Sequence, residues 1–224
     1  MRYIQRQSTY ARSLHWIHTV ACLSLYVTGL ILFIPSVAAA VGVSTVQGAR
    51  IIHRVMAAIF IIAPVVSIFI QPKGFKHVLQ GWFFKWDDND KEFMKKFMPY
   101  LLLGAKGHMP DQKYMKSGQA LADIPVVLLS IAIALSGIVL VWPQSFGGGT
   151  FVRWMLFTHD AVMVLLSVML IAHIYVGAGI FQPYRGSGRI MFGDGKVSEA
   201  DALYHWGTWA REVLAEGGDK VTTE

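Results

Sequence analysis

Four long apolar stretches constrain the fold of this chain more than any other feature of its sequence. They extend over residues 15–38, 51–70, 121–142 and 152–181. A helix needs about 20 apolar residues to cross a bilayer, and within lipid only helices and closed barrels satisfy every backbone polar group. Only 15% of the 224 residues are charged, against about 25% in a typical soluble domain. The sequence therefore predicts an all-α membrane protein, a single domain built on a four-transmembrane-helix bundle.

The basic residues are concentrated in three of the segments outside these stretches. The N-terminal arm, the loop 72–118 and the tail 182–224 hold most lysines and arginines, whereas the other two connections are short and have Arg50 and Arg153 at their ends. Because cytoplasmic loops collect Lys and Arg, we predict a multi-pass protein of the cell inner membrane with both termini in the cytoplasm. The same topology explains the net charge of +6 without a nucleic-acid partner, since the charges form no basic stripe.

Two of the segments predicted to be cytoplasmic show local patterns. Trp82, Phe84 and Trp86 stand among lysines and acidic residues in the loop, a mixture typical of a segment that lies on the membrane surface. In the tail, Ser198 precedes Asp201 by three residues. This spacing predicts the start of a short amphipathic helix over residues 198–214.

Four histidines occur near the ends of the predicted spans: His15, His53, His159 and His173. Ionisable residues within a bilayer are costly and mark functional sites. The predicted topology places His15 and His173 near the cytoplasmic face, and it places the other two near the outer face. His159 and His173 are 14 residues apart, which is about 21 Å along a helix and close to four full turns. Both side chains therefore project from the same side of the fourth span.

These depths define two pairs, His53 with His159 and His15 with His173. Each pair brings imidazoles from two helices toward the interior, which is how cofactor sites are built in helix bundles. Two imidazoles complete the coordination of a haem iron, which then binds no substrate and suits electron transfer. The sequence therefore predicts two haem b groups whose irons are ligated by these four histidines.

Other ligand assignments fit the sequence less well. Cys22 is the single cysteine, so covalent c-type haem attachment and a cysteine-ligated cluster are excluded. A zinc ion on two histidines would have half of its tetrahedral shell. His18 lies one turn beyond His15, and depth alone leaves either of them as the inner ligand. The remaining histidines are expected to be solvated or interfacial: His77, His108 and His205.

Several short motifs extend over all four spans. They are residues 10–16 (Tyr-Ala-Arg-Ser-Leu-His-Trp) with Thr28-Gly29, residues 48–53 (Gly-Ala-Arg-Ile-Ile-His), Gly118-Gln119, Ser136-Gly137, Trp142-Pro143, His159, His173-Ile174-Tyr175 and residues 195–198 (Gly-Lys-Val-Ser). Together they resemble the cytochrome b, or gamma, subunit of respiratory membrane-bound formate dehydrogenases. The resemblance implies a subunit that takes electrons from an iron–sulfur subunit, passes them through two haems b and reduces menaquinone or ubiquinone.

The resemblance also implies roles for individual residues. It makes His15 rather than His18 the inner ligand, and it places a quinone pocket at the cytoplasmic side, near His173, with Gly118 and Gln119. Formate oxidation would belong to a separate molybdenum- or tungsten-containing catalytic subunit. This chain would then have no catalytic residue of its own.

Four basic residues have candidate roles beside these cofactors. Lys116 stands where the family pattern has asparagine. An ammonium there could donate a hydrogen bond or a proton to a quinone oxygen, or Lys116 could be one of the lysines that collect beside a membrane helix on the cytoplasmic side. Arg12, Arg54 and Arg153 lie by depth within reach of the haem edges. They are candidates for pairing with haem propionates, although basic side chains near a membrane surface also extend simply to reach water.

Two other functions remain open at this point. The same module would suit a hydrogenase or a thiosulfate or polysulfide reductase, in which another catalytic subunit supplies the electrons. A transporter or proton channel would use histidines as proton relays instead. A visible spectrum separates the two classes, because only a cytochrome has Soret and alpha bands.

Overall fold

The computed structural model describes residues 1–103 and 109–223, so His108 of the long loop lies outside the described residues. The described residues form ten α-helices, one 3-10 helix at Pro143–Phe146 and three short strands. The α-helices are α1 (Thr9–Phe33), α2 (Pro35–Val41), α3 (Val43–Ile70), α4 (Pro72–Trp82), α5 (Asp88–Leu103), α6 (Ser117–Val141), α7 (Gly149–Gly177), α8 (Arg189–Phe192), α9 (Glu199–His205) and α10 (Gly207–Glu216). The strands are β1 (Arg2–Gln5), β2 (Lys196–Ser198) and β3 (Val221–Thr223).

Over the described residues, four helices are long and apolar enough to cross a membrane: α1, α3, α6 and α7. Their large apolar side chains are turned outward, with exposed fractions of 62% at Val27, 81% at Phe69 and 68% at Ile171. Apolar surface of this extent on four long helices is expected where lipid is the solvent. The predicted set of four membrane helices is confirmed.

The helix ends differ from the predicted spans because capping residues place them elsewhere. Helix α1 begins six residues earlier than predicted, where the Ser8 hydroxyl accepts a hydrogen bond from the Ala11 amide at 3.1 Å, as N-cap residues do. It ends at Phe33, and Pro35 opens α2 at the first helical position, where its missing N–H costs nothing. Helix α7 ends at Gly177, so residues 178–181 are not part of the fourth span.

The chain divides into two compact units. The first comprises Met1–Arg12, Lys76–Val126 and Val168–Glu224, and the second comprises Ser13–Phe75 and Val127–Ser167. The first unit contains a small antiparallel sheet in the order β2-β1-β3, in which Ile4 is opposite Val197 on one side and Val221 on the other. The all-α prediction did not include this sheet. Three or four residues per strand are too few for sequence periodicity to show.

The sheet and the tail share one hydrophobic core in the first unit. Ile4 and Val197 are buried with Trp206, Trp209 and Val213 of the tail. The core therefore fixes the N-terminal strand to the C-terminal segment. Because α1 follows the strand directly, the start of the first membrane helix is anchored in this unit.

Residues 198–214 of the tail form two helices, α9 and most of α10, instead of the single one predicted. Its predicted start is confirmed, because the Ser198 hydroxyl accepts a hydrogen bond from the Asp201 amide at 3.1 Å. The helix stops at Trp206, whose backbone is not helical (φ −140°, ψ 49°), and α10 then starts at Gly207. A Cβ atom at Gly207 would lie 2.1 Å from the carboxylate of Asp111, so only glycine permits this close approach.

The long loop is also partly helical, in α4 and α5. Asp87 and Asp90 cap the start of α5 reciprocally: each backbone amide donates to the other's carboxylate, at 2.9 and 3.0 Å. This is the arrangement of a capping box. Lys113 forms ion pairs with both carboxylates, at 2.7 and 2.9 Å. The loop is therefore held to the segment before α6, and its contact with the membrane surface stays a prediction.

Candidate haem site

The second unit brings the rings of His53 and His159 close together. His53 is the eleventh residue of α3 and His159 is the eleventh residue of α7, so neither lies at a helix entrance as the predicted spans implied. Their ring centroids are 6.3 Å apart and their ring planes make an angle of 61°. The predicted pairing of these two histidines is thus present as a contact between two membrane helices.

This separation is suitable for two ligands on opposite sides of one metal ion. An imidazole nitrogen binds a first-row metal at about 2 Å, and each ring centroid lies about 1 Å farther back along the same line. If two imidazoles held one metal ion between them, their centroids would be about 6 Å apart, and the observed distance for His53 and His159 is 6.3 Å. Two imidazoles that held a metal ion in this way could rotate about their metal–nitrogen bonds. The observed angle of 61° between the ring planes is therefore compatible with this role. The two residues fit a bis-histidine haem.

Hydrogen bonds orient both rings through the same nitrogen. Nδ1 of His53 lies 2.9 Å from the hydroxyl oxygen of Thr28. Nδ1 of His159 lies 3.1 Å from the hydroxyl oxygen of Ser136 and 3.2 Å from the carbonyl oxygen of Ile133. A carbonyl only accepts, so Nδ1 of His159 carries the proton and donates. Its Nε2 is then the unprotonated nitrogen, which is the form that binds a metal.

A glycine lies against each ring. A Cβ atom at Gly29 would be 3.6 Å from Cε1 of His53, and one at Gly137 would be 3.2 Å from Cε1 of His159. Each glycine directly follows the hydroxyl residue that contacts the same ring: Thr28 on α1 and Ser136 on α6. The two helices therefore approach the rings through matching dipeptides, with small residues where the backbones come close.

The predicted inner ligands are less fully defined by the structure. His15 belongs to the second unit, where its Nδ1 lies 3.4 Å from the Thr19 hydroxyl and its ring packs edge-on against Trp16. His173 belongs to the first unit, and its pairing with His15 stays a prediction. His18, the alternative ligand, stacks on Phe60 with centroids 4.2 Å apart, a contact that gives its ring a packing role.

The residues predicted to line a quinone pocket lie around the start of α6, within the first unit. Gln119 is exposed, and its Nε2 donates to Asp123 at 3.4 Å. Asp123 interacts electrostatically with His173. Gly118 faces Phe93 and Met94, to which a Cβ atom would make ordinary contacts at 3.9 Å. Asp123 is therefore a hydrogen-bond partner of Gln119 and lies within electrostatic range of His173.

Lys116 is in a different environment, which we call the aromatic cage: Tyr114, Tyr184, Trp206 and Trp209. The Lys116 ammonium lies 4.2 Å from the Tyr184 ring centroid and 4.3 Å from that of Trp206, in contacts of cation–π type. Burial, together with the charge of Arg6, holds the pKa of Lys116 well below its usual value. Lys116 also borders a small crevice of about 10 Å³, room for roughly one water molecule.

Arg6 is the second cation in the aromatic cage. Its guanidinium lies 3.6 Å from the ring centroid of Tyr114 and 4.7 Å from the centroids of Trp206 and Trp209. Its Nη2 donates to the carbonyl of Tyr114 at 2.6 Å. Burial lowers the pKa of Arg6 to about 10, so the group stays charged at neutral pH.

His205 lies beside the aromatic cage, contrary to the expectation that it is solvated. It is only 9% exposed, and its ring stacks on Tyr184 with centroids 4.7 Å apart. Burial, with a smaller contribution from the charge of Lys116, lowers the pKa of His205 to about 3. It is therefore a neutral packing residue. His77 has a similar role, since its ring packs edge-on against Tyr114 at 5.1 Å.

The three candidate propionate partners have different surroundings. Arg12 donates to the carbonyl of Gly193 and, at 3.2 Å, to the hydroxyl of Thr9. Arg153 donates to the hydroxyl of Thr150 at 3.3 Å, and Arg54 is exposed. The Arg12 side chain thus binds the tail backbone, and a propionate contact stays a prediction for all three.

Three polar residues are not among the sequence-based candidates: Thr28 and Ser136 beside the histidine pair of the second unit, and Asp123 in the first unit. Thr28 and Ser136 entered only as parts of family motifs, yet each contacts a ligand candidate and is buried, with 5% and 1% exposure. Asp123 was counted within an apolar span. The sequence signal for Thr28 and Ser136 is a hydroxyl residue followed by glycine within a membrane helix. The signal for Asp123 is a carboxylate within a membrane helix.

Comparison with known families agrees with this geometry. The profile of the family described as prokaryotic cytochrome b561 matches residues 6–193. Comparison with curated proteins gives no match. The matched segment contains the four membrane helices and all four histidines predicted as ligands. The family implies a b-type haem and an electron-transfer role rather than that of a transporter or channel. With its facing histidines and apolar helices, the chain belongs to the prokaryotic cytochrome b561 family and is an integral membrane b-type cytochrome.

Proposed function

We propose that this chain is the cytochrome b subunit of a membrane-bound formate dehydrogenase, which passes electrons from an iron–sulfur subunit through two haems b to a quinone. The observation that carries the haem assignment is the contact between His53 and His159 at 6.3 Å. A haem held by two neutral imidazoles exchanges one electron and binds no substrate. Formate oxidation would take place on a separate molybdenum or tungsten subunit.

The second haem of the proposal uses His15 and His173. Its support is the 14-residue spacing of His159 and His173 on the single helix α7, which places both side chains on one side of that helix. The stacking of His18 on Phe60 supports His15 as the partner. Electrons would enter at the His53–His159 pair and leave toward the quinone at the other pair.

The quinone pocket of the proposal lies near His173, with Gly118, Gln119 and Lys116 as contributors. Its support is the short polar connection from Gln119 to Asp123 and the interaction of Asp123 with His173. Because basic residues are concentrated in the arm, the long loop and the tail, these segments would face the cytoplasm. A quinone reduced there would take its protons from the cytoplasm. Menaquinone and ubiquinone both suit this chemistry.

The haem content of single variants tests the ligand assignment. We expect two haems b per purified chain, and one haem after His53→Ala or His159→Ala. His15→Ala or His173→Ala is expected to remove the other haem. His18→Ala is the matched control, because it alters a histidine on the same helix as His15 and should leave two haems. Full haem content after His53→Ala, measured by the pyridine haemochrome spectrum, would contradict the assignment.

Quinone turnover tests the pocket separately. Gln119→Leu is expected to slow reoxidation of the reduced haems by a menaquinone or ubiquinone analogue about tenfold, the equivalent of about one hydrogen bond. Lys116→Met should act in the same direction. The haem content of both variants should remain two. Unchanged reoxidation in both variants would place the quinone elsewhere without affecting the haem assignment.

A further inference from the structure

The single hydroxyl hydrogen of Thr28 is used in a hydrogen bond to the preceding turn of its own helix. The hydroxyl donates to the carbonyl of Ser24 at 2.7 Å, with a longer contact to Leu25 at 3.3 Å. A hydroxyl has one hydrogen and two acceptor lone pairs. At 2.9 Å from Nδ1 of His53, the Thr28 oxygen can therefore only accept. The Nδ1–H of His53 must be the donor, and its Nε2 is left unprotonated.

Ser136 repeats this arrangement on another helix. Its hydroxyl donates to the carbonyl of Ala132 at 2.8 Å, with a contact to Ile133 at 3.1 Å, so its oxygen accepts from Nδ1–H of His159 at 3.1 Å. Hydroxyl groups bonded back to the preceding turn are common in helices. Because this bond occurs at Thr28 and at Ser136, each in contact with a histidine of another helix, His53 and His159 have the same tautomer.

We propose that Thr28 and Ser136 are matched positioning residues that present Nε2 of His53 and of His159 to a haem iron and set the reduction potential of that haem. The proposal rests on the haem assignment made above. An acceptor at Nδ1–H raises the basicity of a ligating imidazole. A more basic ligand favours ferric iron, so these hydroxyls lower the potential, which is one of the means by which proteins adjust haem.

The two histidines differ in the number of hydrogen-bond partners at Nδ1. Among the described residues, Nδ1 of His53 has Thr28 as its single hydrogen-bond partner, whereas Nδ1 of His159 has both Ser136 and the carbonyl of Ile133. Loss of the Thr28 hydroxyl would leave a buried N–H without an acceptor. Loss of the Ser136 hydroxyl would leave the Ile133 carbonyl as an acceptor for the Nδ1–H of His159. Thr28 should therefore matter more than Ser136.

The test is a redox titration of the alpha bands of the purified cytochrome with its haems bound. Thr28→Val removes the hydroxyl and keeps the shape, and Ser136→Ala is its counterpart. We expect a positive shift in the midpoint potential of one haem in Thr28→Val and a smaller positive shift in Ser136→Ala. Thr28→Ser keeps the hydroxyl and should have the wild-type potential. The midpoint potential of the other haem should be unchanged. The other haem is identified as the one that remains in His53→Ala.

The outcomes separate this inference from the haem assignment. If His53→Ala removes one haem but Thr28→Val and Ser136→Ala both keep the wild-type potentials, the positioning role is wrong and the haem site stands. Equal haem loss in Thr28→Val and Thr28→Ser would make the position a packing site and would also overturn it. Electron paramagnetic resonance of the oxidised protein gives a second readout. The low-spin signal of the haem assigned to His53 should change in Thr28→Val and stay unchanged in Thr28→Ser.

Discussion

The His53–His159 pair and the aromatic cage are two ways of burying polar side chains. In the pair, hydrogen bonds from neighbouring helices occupy Nδ1 of each ring, and the rings meet at the distance that a metal ion between them requires. In the aromatic cage, ring faces cover the guanidinium of Arg6 and a carbonyl accepts one of its N–H groups. Two imidazoles fixed through Nδ1 at this spacing indicate ligand binding, whereas enclosure by aromatic rings indicates an anchor for folding.

Damage to the core that joins the sheet to the tail should change stability and leave the haem spectrum intact. Trp209 is 7% exposed and packs in the core that joins the sheet to the tail. Trp209→Ala should lower the free energy of unfolding of the first unit by about 3–5 kcal/mol, the usual cost of truncating a buried aromatic residue. Denaturant titration in detergent, followed by far-ultraviolet circular dichroism, measures the change.

Trp154→Ala is the control for this experiment. Trp154 is 61% exposed, so its truncation should cost well under 1 kcal/mol. The absorption of the haem that we propose at the His53–His159 pair should be the same in both variants under native conditions. Loss of that haem in Trp209→Ala would show that the two regions are not energetically separate, and the distinction drawn between them would fail.

A pair of glycine substitutions sharpens the comparison within the haem site. Alanine at Gly137 places a Cβ atom 3.2 Å from the His159 ring, closer than an unstrained contact, whereas alanine at Gly29 makes an ordinary contact of 3.6 Å with His53. Gly137→Ala should therefore cost about 1–3 kcal/mol through overpacking and weaken haem retention. Gly29→Ala should be neutral, or stabilising by up to about 1 kcal/mol, because alanine favours a helix.

Thermal release of haem, followed at the Soret band, distinguishes the two glycine variants. Earlier release from Gly137→Ala than from Gly29→Ala is the expected order. The reverse order would mean that the ring of His159 moves freely away from α6, and the close approach described here would have no consequence for the site.

The sequence predicted the membrane helices because their signal is long. A stretch of about 20 predominantly apolar residues is typical of a membrane helix, and the pairing of His53 with His159 followed from depth alone. The bounds were less predictable. Helix α1 begins earlier than predicted because Ser8, its capping residue, lies outside the apolar stretch.

The parts that the sequence did not predict depend on contacts between distant segments. The sheet joins residues near both termini through strands of three or four residues, and no local pattern reveals such pairing. The burial of His205 depends on Tyr184 and Lys116, which approach it from other elements. The roles of Thr28 and Ser136 depend on where a hydroxyl hydrogen is directed, which requires the geometry of a neighbouring turn.

A smaller effect concerns pH and the aromatic cage. The pKa of His205 is lowered from its ordinary 6.5 to about 3, first by burial and then by the charge of Lys116. Below pH 6.5 the unfolded chain therefore binds a proton at this residue that the folded chain does not. Stability conferred by the neutral ring is complete above pH 6.5 and is lost as the pH falls toward 3, by up to about 1.4 kcal/mol per pH unit.

His205→Phe keeps the stacking on Tyr184 and removes the titrating group. The variant should lose less stability than the wild type between pH 7 and pH 5, as measured by denaturant titration of the first unit. Part of the slope should remain, because burial also lowers the pKa of His77. An identical slope in both proteins would mean that the protonated His205 ring is solvated in the folded state, and the aromatic cage would then be an open surface rather than an enclosure.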